Sequence, residues 1–241
     1  MRYIQKNHVS INKWLYLHKD KSKSYNEDIK NERLEGKKNN YDNILEDLLE
    51  EQGFLCAYCM RSIKSKNATI EHFIGQVTSK REDTNYQNML AVCLGNFCKK
   101  LNKNKEKLHC DSSRSNFQKK YKDKEAEEKN QVSPTYRPYL HISPLNRQQM
   151  NNIKFSQSGV IYYENIDDES EISFDLNKVL NLNCENIKEK RKRIINMVKS
   201  LLGKYKFDKK FAKKQLEYWE SRNGSYKEYS QVAIFELRKH I

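Results

Sequence analysis

Hydrophobic and polar positions follow several patterns along the chain, and each pattern predicts a type of element. Between residues 41 and 52 the apolar side chains lie three and four positions apart, which predicts a helix that ends before Gly53. Alternating and continuous apolar residues over 69–74 predict a β-strand. Residues 85–93 predict a turn that is followed either by the start of a helix or by a buried segment.

The C-terminal part of the chain has a different pattern. Apolar residues at 153–156 and 160–163 flank a glycine turn, which predicts a β-hairpin. Helical spacing then predicts a long basic helix that begins near Ile187, followed by helices over 208–221 and 226–239. Strands mixed with helices in this way predict an α+β fold.

The same patterns divide the chain into three parts. Residues 1–40 are predicted to be a basic N-terminal arm that packs through Trp14-Leu15-Tyr16-Leu17. Residues 41–130 hold the central elements and end in a polar stretch that predicts a solvated helix or a poorly ordered insertion. All three prolines fall in one connector. Residues 131–241 are therefore predicted to form a separate C-terminal hairpin and basic helical region.

Positive charge is concentrated at the two ends of the chain, whose net charge is +14. Residues 1–40 contain 10 lysine or arginine residues and 5 acidic ones, and residues 185–241 contain 16 and 7. Residues 41–184 contain 20 of each. Such an excess can bind nucleic acid, dock an acidic partner or only keep a protein in solution.

The cysteines indicate a metal site. No apolar run is long enough to span a bilayer, and the first eight residues lack the apolar centre of a signal peptide, so we expect a cytoplasmic protein without a membrane partner. In that compartment cysteines serve as thiolate ligands more often than as disulfides. Five of the six cysteines lie between positions 56 and 110, whereas Cys184 is interpreted as an ordinary core residue.

Cys56 and Cys59 have the two-residue spacing of a zinc knuckle. The candidates to complete the site are Cys93, Cys98, Cys110 and, less directly, His109. Cys93 and Cys110 are favoured because each directly borders a segment with candidate chemistry, whereas Cys98 lies in a local insertion. The alternative is a set of buried free thiols.

Four further residues suggest hydrolytic chemistry. His72 can act as a general base because an imidazole accepts a proton near neutral pH, and Asn88 can hold the loop that orients it. Glu71 and Asp111 offer hard oxygen ligands for Mg²⁺ or Mn²⁺. Adjacent residues of a strand point to opposite faces, so Glu71 and His72 can serve one site only where the strand bends or ends.

These residues resemble the zinc-knuckle form of the HNH, or ββα-metal, endonucleases. The matching motif is Cys56-x2-Cys59, Glu71-His72, Asn88-Met89-Leu90-x2-Cys93 and Cys110-Asp111. The resemblance implies a ββα-metal core with flanking helices, a structural zinc ion and a catalytic divalent ion. It implies that His72 is the general base, that Glu71 and Asp111 bind the catalytic ion, and that Asn88 is the central asparagine.

A narrower resemblance is to the HNH subunit of Septu-type and retron-associated anti-phage systems, the PtuB-like proteins. It includes His109-Cys110-Asp111, Ile142-Ser143-Pro144-Leu145, the hairpin with Gly159, and Leu180-Asn181-Leu182-Asn183 before the basic helix. The resemblance implies an ABC- or SMC-like ATPase partner. The chain departs from the usual HNH pattern at Gly75, where proline is common, and at Arg114, where lysine-glycine is usual.

Two other functions are compatible with the sequence. A catalytically silent zinc module that binds nucleic acid or protein would need the cysteines but not His72, Glu71 and Asp111. A free-standing restriction-type nuclease would need a sequence-reading element, and the chain shows no helix-turn-helix or finger array. DNA is the expected substrate, and RNA such as tRNA remains an alternative.

Overall fold

The protein has an α+β architecture in a computed structural model that describes residues 1–31, 39–75, 82–95, 108–127 and 140–241. Within these residues the strands form two two-stranded antiparallel sheets. No helix in the described part of the chain is both long and apolar enough to cross a membrane. The helices are α1 (His8–Lys19), α2 (Asn40–Glu51), α3 (Cys110–Glu127), α4 (Arg147–Asn151), α5 (Glu171–Phe174), α6 (Glu185–Lys204), α7 (Lys209–Glu220) and α8 (Ser230–Arg238), and the strands are β1 (Ala68–His72), β2 (Met89–Cys93), β3 (Ile153–Phe155) and β4 (Ile161–Tyr163).

The N-terminal segment packs along much of its described length. The side chain of Asn7 caps α1 by accepting a hydrogen bond from the Val9 amide at 2.9 Å. Within the predicted apolar patch, Trp14 and Leu17 are buried. The segment contributes four more residues to the same core, namely Met1, Ile4, Tyr25 and Ile29. It is therefore attached to the core more extensively than a single patch predicted.

The predicted central helix and strand are both present. Helix α2 buries the four apolar residues that predicted it, and a buried glutamine follows directly. Gln52 accepts a hydrogen bond from the Ala91 amide at 2.8 Å and donates one to the Ala91 carbonyl at 2.7 Å. It also donates to the Leu55 carbonyl at 2.9 Å. These bonds fix the end of α2 against β2 and the start of the cysteine loop.

Strands β1 and β2 pair antiparallel, with Ala68 opposite Cys93 and His72 opposite Met89. All five residues of β2 are buried, so the buried segment predicted for residues 85–93 is a strand that follows a short 3₁₀ turn. Helix α3 comes next in the described chain and begins at Cys110. It covers much of the predicted polar stretch, which is therefore helical as far as it is described.

The C-terminal elements were predicted closely. Strands β3 and β4 form the hairpin, and α6, α7 and α8 are the three helices. Ile187 and Ile195 on α6 belong to the main core, whereas Val198 and Leu202 join a smaller cluster with α7 and α8. The amide of Tyr229 donates to the Met60 carbonyl at 3.0 Å. The C-terminal region therefore packs directly against the cysteine loop.

Candidate metal centre and active site

A tight loop between α2 and β1 carries the first two cysteines. The Cys56 amide donates to the Arg61 carbonyl at 2.8 Å, and the Met60 amide donates to the Cys56 carbonyl at 3.0 Å. Met60 has a φ of 64°, in the left-handed region that tight turns use. The backbone therefore folds back on itself between Cys56 and Cys59, and both side chains are buried.

The structure brings together the four cysteines that the sequence favoured. The Sγ atoms of Cys56, Cys59, Cys93 and Cys110 all lie within 4.8 Å of one another. The Cys56–Cys110 and Cys59–Cys93 sulfur distances are 3.9 and 3.7 Å. A regular tetrahedron with zinc–sulfur bonds of about 2.3 Å has edges of about 3.8 Å. Four buried thiols at this separation fit a structural zinc ion.

The remaining cysteines and His109 are not members of this four-cysteine cluster as far as the structure describes them. His109 Nδ1 lies 3.2 Å from Cys110 Sγ and 3.8 Å from Cys93 Sγ, so it borders the four cysteines. Cys98 lies outside the described residues. Cys184 is buried at the start of α6 and is not a member of the cluster.

Gly95 allows the end of β2, which carries Cys93, to approach the start of α3, which carries Cys110. Its φ is 73°, and its carbonyl accepts a hydrogen bond from the His109 amide at 2.9 Å. A Cβ atom at this position would lie 1.8 Å from the His109 carbonyl oxygen. Only glycine therefore permits the close approach that places Cys110 beside Cys93.

A buried arginine carries a positive charge that interacts electrostatically with two of the clustered cysteines. A Zn²⁺ ion with four thiolates has a net charge of about −2. Arg191 is fully buried, and its ionisation responds to the charges of Cys59 and Cys110. Burial lowers the pKa of Arg191 to about 10, so the guanidinium stays charged. Its Nη1 donates to the Gly159 carbonyl at 3.1 Å, whereas Nε and Nη2 have no hydrogen-bond partner among the described residues.

We expect Arg191→Met to weaken metal retention. The substitution keeps an apolar stem of similar length but removes a buried positive charge that interacts electrostatically with Cys59 and Cys110, so the negative charge of the centre is less well compensated. Arg191→Met should release zinc to a chelator at least tenfold faster than wild type, and Arg191→Lys should lie between the two. Exposed Arg193 on the same helix provides the control Arg193→Met. Equal release rates for the Arg191 and Arg193 variants would contradict the role.

His72 is held by a backbone carbonyl at the end of β1. Its Nε2 lies 2.7 Å from the Asp83 carbonyl oxygen. Because a carbonyl only accepts hydrogen bonds, Nε2 carries the proton and Nδ1 of the neutral ring keeps a lone pair. Burial lowers the pKa of His72, which favours this neutral form. The ring packs edge-on against Tyr25 with centroids 4.5 Å apart.

Asn88 holds the loop that supplies this carbonyl. Its Oδ1 accepts from the Ile74 amide at 2.7 Å, and its Nδ2 donates to the carbonyls of Ile74 and Glu82 at 2.9 and 3.0 Å. The side chain therefore ties together the two described ends of the segment between residues 74 and 82. Since Asp83 follows directly, Asn88 also fixes the acceptor for His72.

Glu71 and Asp111 lie side by side. The two carboxyl groups are close enough for the charge of Glu71 to affect the ionisation of Asp111. Burial, together with the adjacent charge of Glu71, raises the pKa of Asp111 to about 7. β1 ends at His72, immediately after Glu71, so the neighbouring Glu71 and His72 side chains lie where the strand gives way to a bend. Two carboxylates can bind one Mg²⁺ ion when water completes its coordination.

Arg114 holds Glu71 and the backbone at the end of β1 in place. In the sequence it was noted only as a departure from the HNH motif. It is buried, forms an ion pair with Glu71 and donates to the Tyr58 hydroxyl at 3.3 Å. It also donates to the carbonyls of His72 and Phe73, both at 2.9 Å. Arg114 lies one helical turn after Asp111, and this spacing is the signal that could have placed it beside the carboxylates.

We expect Arg114→Met to destabilise the fold by about 3–5 kcal/mol, because it leaves the Glu71 carboxylate and two carbonyls without their buried donor. Chemical denaturation measures this loss. Arg114→Lys should recover part of it, since an ammonium restores the charge but not the fork of donors. Lys119→Met, on the exposed part of the same helix, is the control. If Arg114→Met lowers the free energy of unfolding by less than 1 kcal/mol, the ion pair does not stabilise the end of β1.

The fold and site define an α+β protein with a buried four-cysteine cluster that could bind a metal such as zinc. Within the described residues, Glu71, His72 and Asp111 do not form a second group of three converging metal ligands. No protein-family model matches the chain, and no curated protein matches it. What the protein does is therefore inferred from its residues and their geometry.

Proposed function

We propose that the protein is a metal-dependent HNH endonuclease that cleaves phosphodiester bonds. The observation that carries the proposal is the oriented histidine. His72 donates to a carbonyl in a loop that Asn88 fastens on both sides, and a carboxylate pair lies at the same end of β1. The order of two antiparallel strands followed by a helix, with four cysteines at their junctions, supports an HNH core.

The residues suit hydrolysis by an activated water molecule. The lone pair on Nδ1 of His72 can take a proton from water as its oxygen forms a bond to phosphorus. The bond from phosphorus to the leaving oxygen then breaks, and that oxygen is protonated from solvent. Glu71 and Asp111 would hold a Mg²⁺ or Mn²⁺ ion, which supplies charge stabilisation at the phosphate when bound. Arg114 keeps Glu71 in position.

The zinc ion in this proposal is structural. All four candidate ligands are buried cysteines, so no ligand position is left open for a substrate. Cys93 ends β2, and Cys110 immediately precedes Asp111. Zinc binding would therefore set the distance between the strand pair that carries His72 and the helix that carries Asp111.

We further propose that the nuclease is the effector of an anti-phage complex with an ABC- or SMC-like ATPase, and that DNA is its substrate. Exposed aromatic residues among lysines support a docking surface at the turn between α6 and α7. Tyr205 and Phe207 are about half exposed, and the exposed residues Lys206, Lys209 and Lys210 lie beside them in the sequence. Aromatic residues are enriched at the centres of protein interfaces.

Phe207→Asp is expected to weaken co-purification with such an ATPase at least tenfold while zinc content stays unchanged. This point variant is preferable to removal of the C-terminal region, because α6 belongs to the main core. Exposed Tyr162 on β4 gives the control Tyr162→Asp. Unchanged association of the Phe207 variant would remove the α6–α7 turn from the interface.

A catalytically silent zinc module is the second candidate, and a specific observation favours it. His72 is only 8% exposed and its ring lies against Tyr25. The nearby Glu71 carboxylate is already paired with Arg114. A binding module could use these contacts only for stability. The nuclease proposal instead requires that Tyr25 and the N-terminal segment around it move away from His72, so that a substrate can reach the ring.

The two functions are separated by one experiment. The purified protein, alone and with the ATPase, is offered plasmid DNA, single-stranded DNA and tRNA, with Mg²⁺, with Mn²⁺ or with EDTA. The nuclease predicts cleavage that EDTA stops, and a loss in Asp111→Ala that higher Mg²⁺ or Mn²⁺ partly restores. Binding without cleavage under every condition, with zinc present and the protein folded, would establish the silent module. Cleavage of tRNA but not DNA would correct the substrate.

A further inference from the structure

A basic cavity borders the cysteine loop. Its volume is about 560 Å³. Its lining comes from residues 2–8, from Glu51, Gln52, Leu55, Cys56 and Ala57, and from Arg147, Arg222 and Tyr226. Pockets of this size accommodate small molecules rather than a nucleic-acid duplex. Its lining includes none of the four candidate catalytic residues, so it is distinct from the proposed cleavage site.

Three guanidinium groups line this cavity without a carboxylate partner among the described residues. Arg222 donates to the backbone carbonyls of Glu50 and Gly224, which leaves its charge uncompensated. Arg147 makes no ion pair within the described chain and is exposed. Arg2 has a buried Nη1 without a hydrogen-bond partner. Positive groups gathered around one cavity repel each other, so an anion that enters it is stabilised.

The one acid among the described lining residues does not offset these charges. Glu51 pairs with Lys6 at 3.0 Å and accepts a hydrogen bond from the Asn7 amide at 2.6 Å. Lys6 is also bound to the Met89 carbonyl at 2.5 Å. Glu51 and Lys6 therefore neutralise each other at one side of the cavity. The cavity therefore keeps the positive charge of the three arginines.

Aromatic rings hold the arginines in place. The Arg2 guanidinium lies 3.6 Å from the centre of the Tyr226 ring, and that of Arg222 lies 5.5 Å from it. Arg147 lies 5.4 Å from the centre of the Tyr3 ring. Such contacts occupy the face of a guanidinium and not its edges, where the N–H donors lie. In Arg222, Nε and Nη2 already donate to backbone carbonyls, so Nη1 is the nitrogen left for an anion.

The backbone in turn fixes Tyr226. Its amide donates to the Gly53 carbonyl at 3.0 Å, and its ring lies so close to Gly53 that a Cβ atom there would be 2.2 Å from Cδ2. Gly53 has a φ of 61°, so the position is suited to glycine on two grounds. The donors around the cavity are therefore positioned before any ligand arrives.

We propose that this cavity binds the phosphate group of a small phosphate ester of nucleotide size. Planar guanidinium groups match the oxygen geometry of phosphate and bind it with paired, charge-assisted hydrogen bonds. Three arginines suit the charge of a phosphate monoester, and the volume leaves room for the group that carries it. Phosphate binding in this cavity does not depend on cleavage, so it is tested independently of the nuclease proposal.

Calorimetric titration of the full zinc-loaded chain tests this site. The probes are inorganic phosphate, a nucleoside monophosphate and the matching nucleoside, all at one ionic strength. The monophosphate should bind at least tenfold more tightly than the nucleoside. Arg147→Gln and Arg222→Gln should each weaken that binding about tenfold, equivalent to about 1.4 kcal/mol. Arg193→Gln, an exposed arginine on α6 that does not line the cavity, should leave it unchanged.

Other outcomes overturn the proposal or identify the source of the phosphate. Equal binding of nucleoside and nucleotide would exclude phosphate recognition, as would a loss in Arg193→Gln equal to that in Arg147→Gln. Absence of heat and of any thermal shift with all three probes would exclude the site. A short oligonucleotide without terminal phosphates that binds as tightly as the monophosphate, with the same dependence on Arg147, would support phosphate binding but assign its source to a nucleic-acid strand. Arg147 is exposed, so its variant should fold and keep each outcome interpretable.

Discussion

Cys59→Ser is expected to abolish zinc binding and with it the folded state. Cys59 is fully buried, and its sulfur lies 3.7 Å from that of Cys93. A structural zinc ion supplies on the order of 10 kcal/mol of folding free energy, whereas a whole domain is stable by only about 5–15 kcal/mol. Loss of one thiolate therefore removes most of the stability of the central core. Elemental analysis, circular dichroism and soluble yield measure the result.

Control variants identify the ligands. Cys184→Ser changes a buried cysteine outside the cluster and should keep about one zinc ion per chain. Cys98→Ser should also keep the metal if Cys56, Cys59, Cys93 and Cys110 are the complete set. Loss of zinc in Cys98→Ser with retention in Cys110→Ser would reassign the fourth ligand. Wild-type protein that is well folded and free of zinc would remove the metal centre altogether.

Several elements could be predicted from the sequence because their patterns are local. The spacing of apolar residues in α2 and α6, and the glycine turn between β3 and β4, each depend on a few neighbouring positions. The choice of Cys93 and Cys110 also came from local sequence, since each borders a segment with candidate chemistry. The described sulfur positions agree with that choice.

Other features depend on contacts between distant segments and leave no local signal. β2 is buried on both faces, so its residues do not alternate and could equally have begun a helix. Arg114 and Arg191 are fully enclosed, yet in the sequence they look like the many basic residues of the surface. The packing of Tyr25 against His72 joins residues 47 positions apart, and only the assembled fold brings them together.

The candidate metal centre and the candidate active site share their supporting elements. In the β1–β2 pair, Cys93 lies opposite Ala68 and Met89 lies opposite His72, so the two sites occupy opposite ends of one sheet. On α3, Cys110 and Asp111 are consecutive. A change at the cysteines should therefore affect catalysis through the fold, whereas a change at His72 should leave the metal centre intact.

His72→Ala is expected to reduce cleavage by about 10²–10⁴-fold, the usual contribution of a general base, and to leave zinc content and nucleic-acid affinity unchanged. The proposed role lies in proton transfer, so its loss appears in the rate of the chemical step under single-turnover conditions. His240→Ala is the matched control, because the His240 ring packs beside Phe207 and belongs to neither candidate site.

His72→Gln distinguishes a catalytic role from a structural one. The glutamine amide reaches the position of Nε2 and can still donate to the Asp83 carbonyl, which Nε2 binds at 2.7 Å, but it cannot accept a proton from water at neutral pH. The nuclease proposal predicts that this variant folds like wild type and cleaves as poorly as His72→Ala. If His72→Gln keeps wild-type cleavage, His72 only supports the loop at Asp83. If both variants lose zinc and unfold, the histidine belongs to the core, and the silent zinc module becomes the better account of this site.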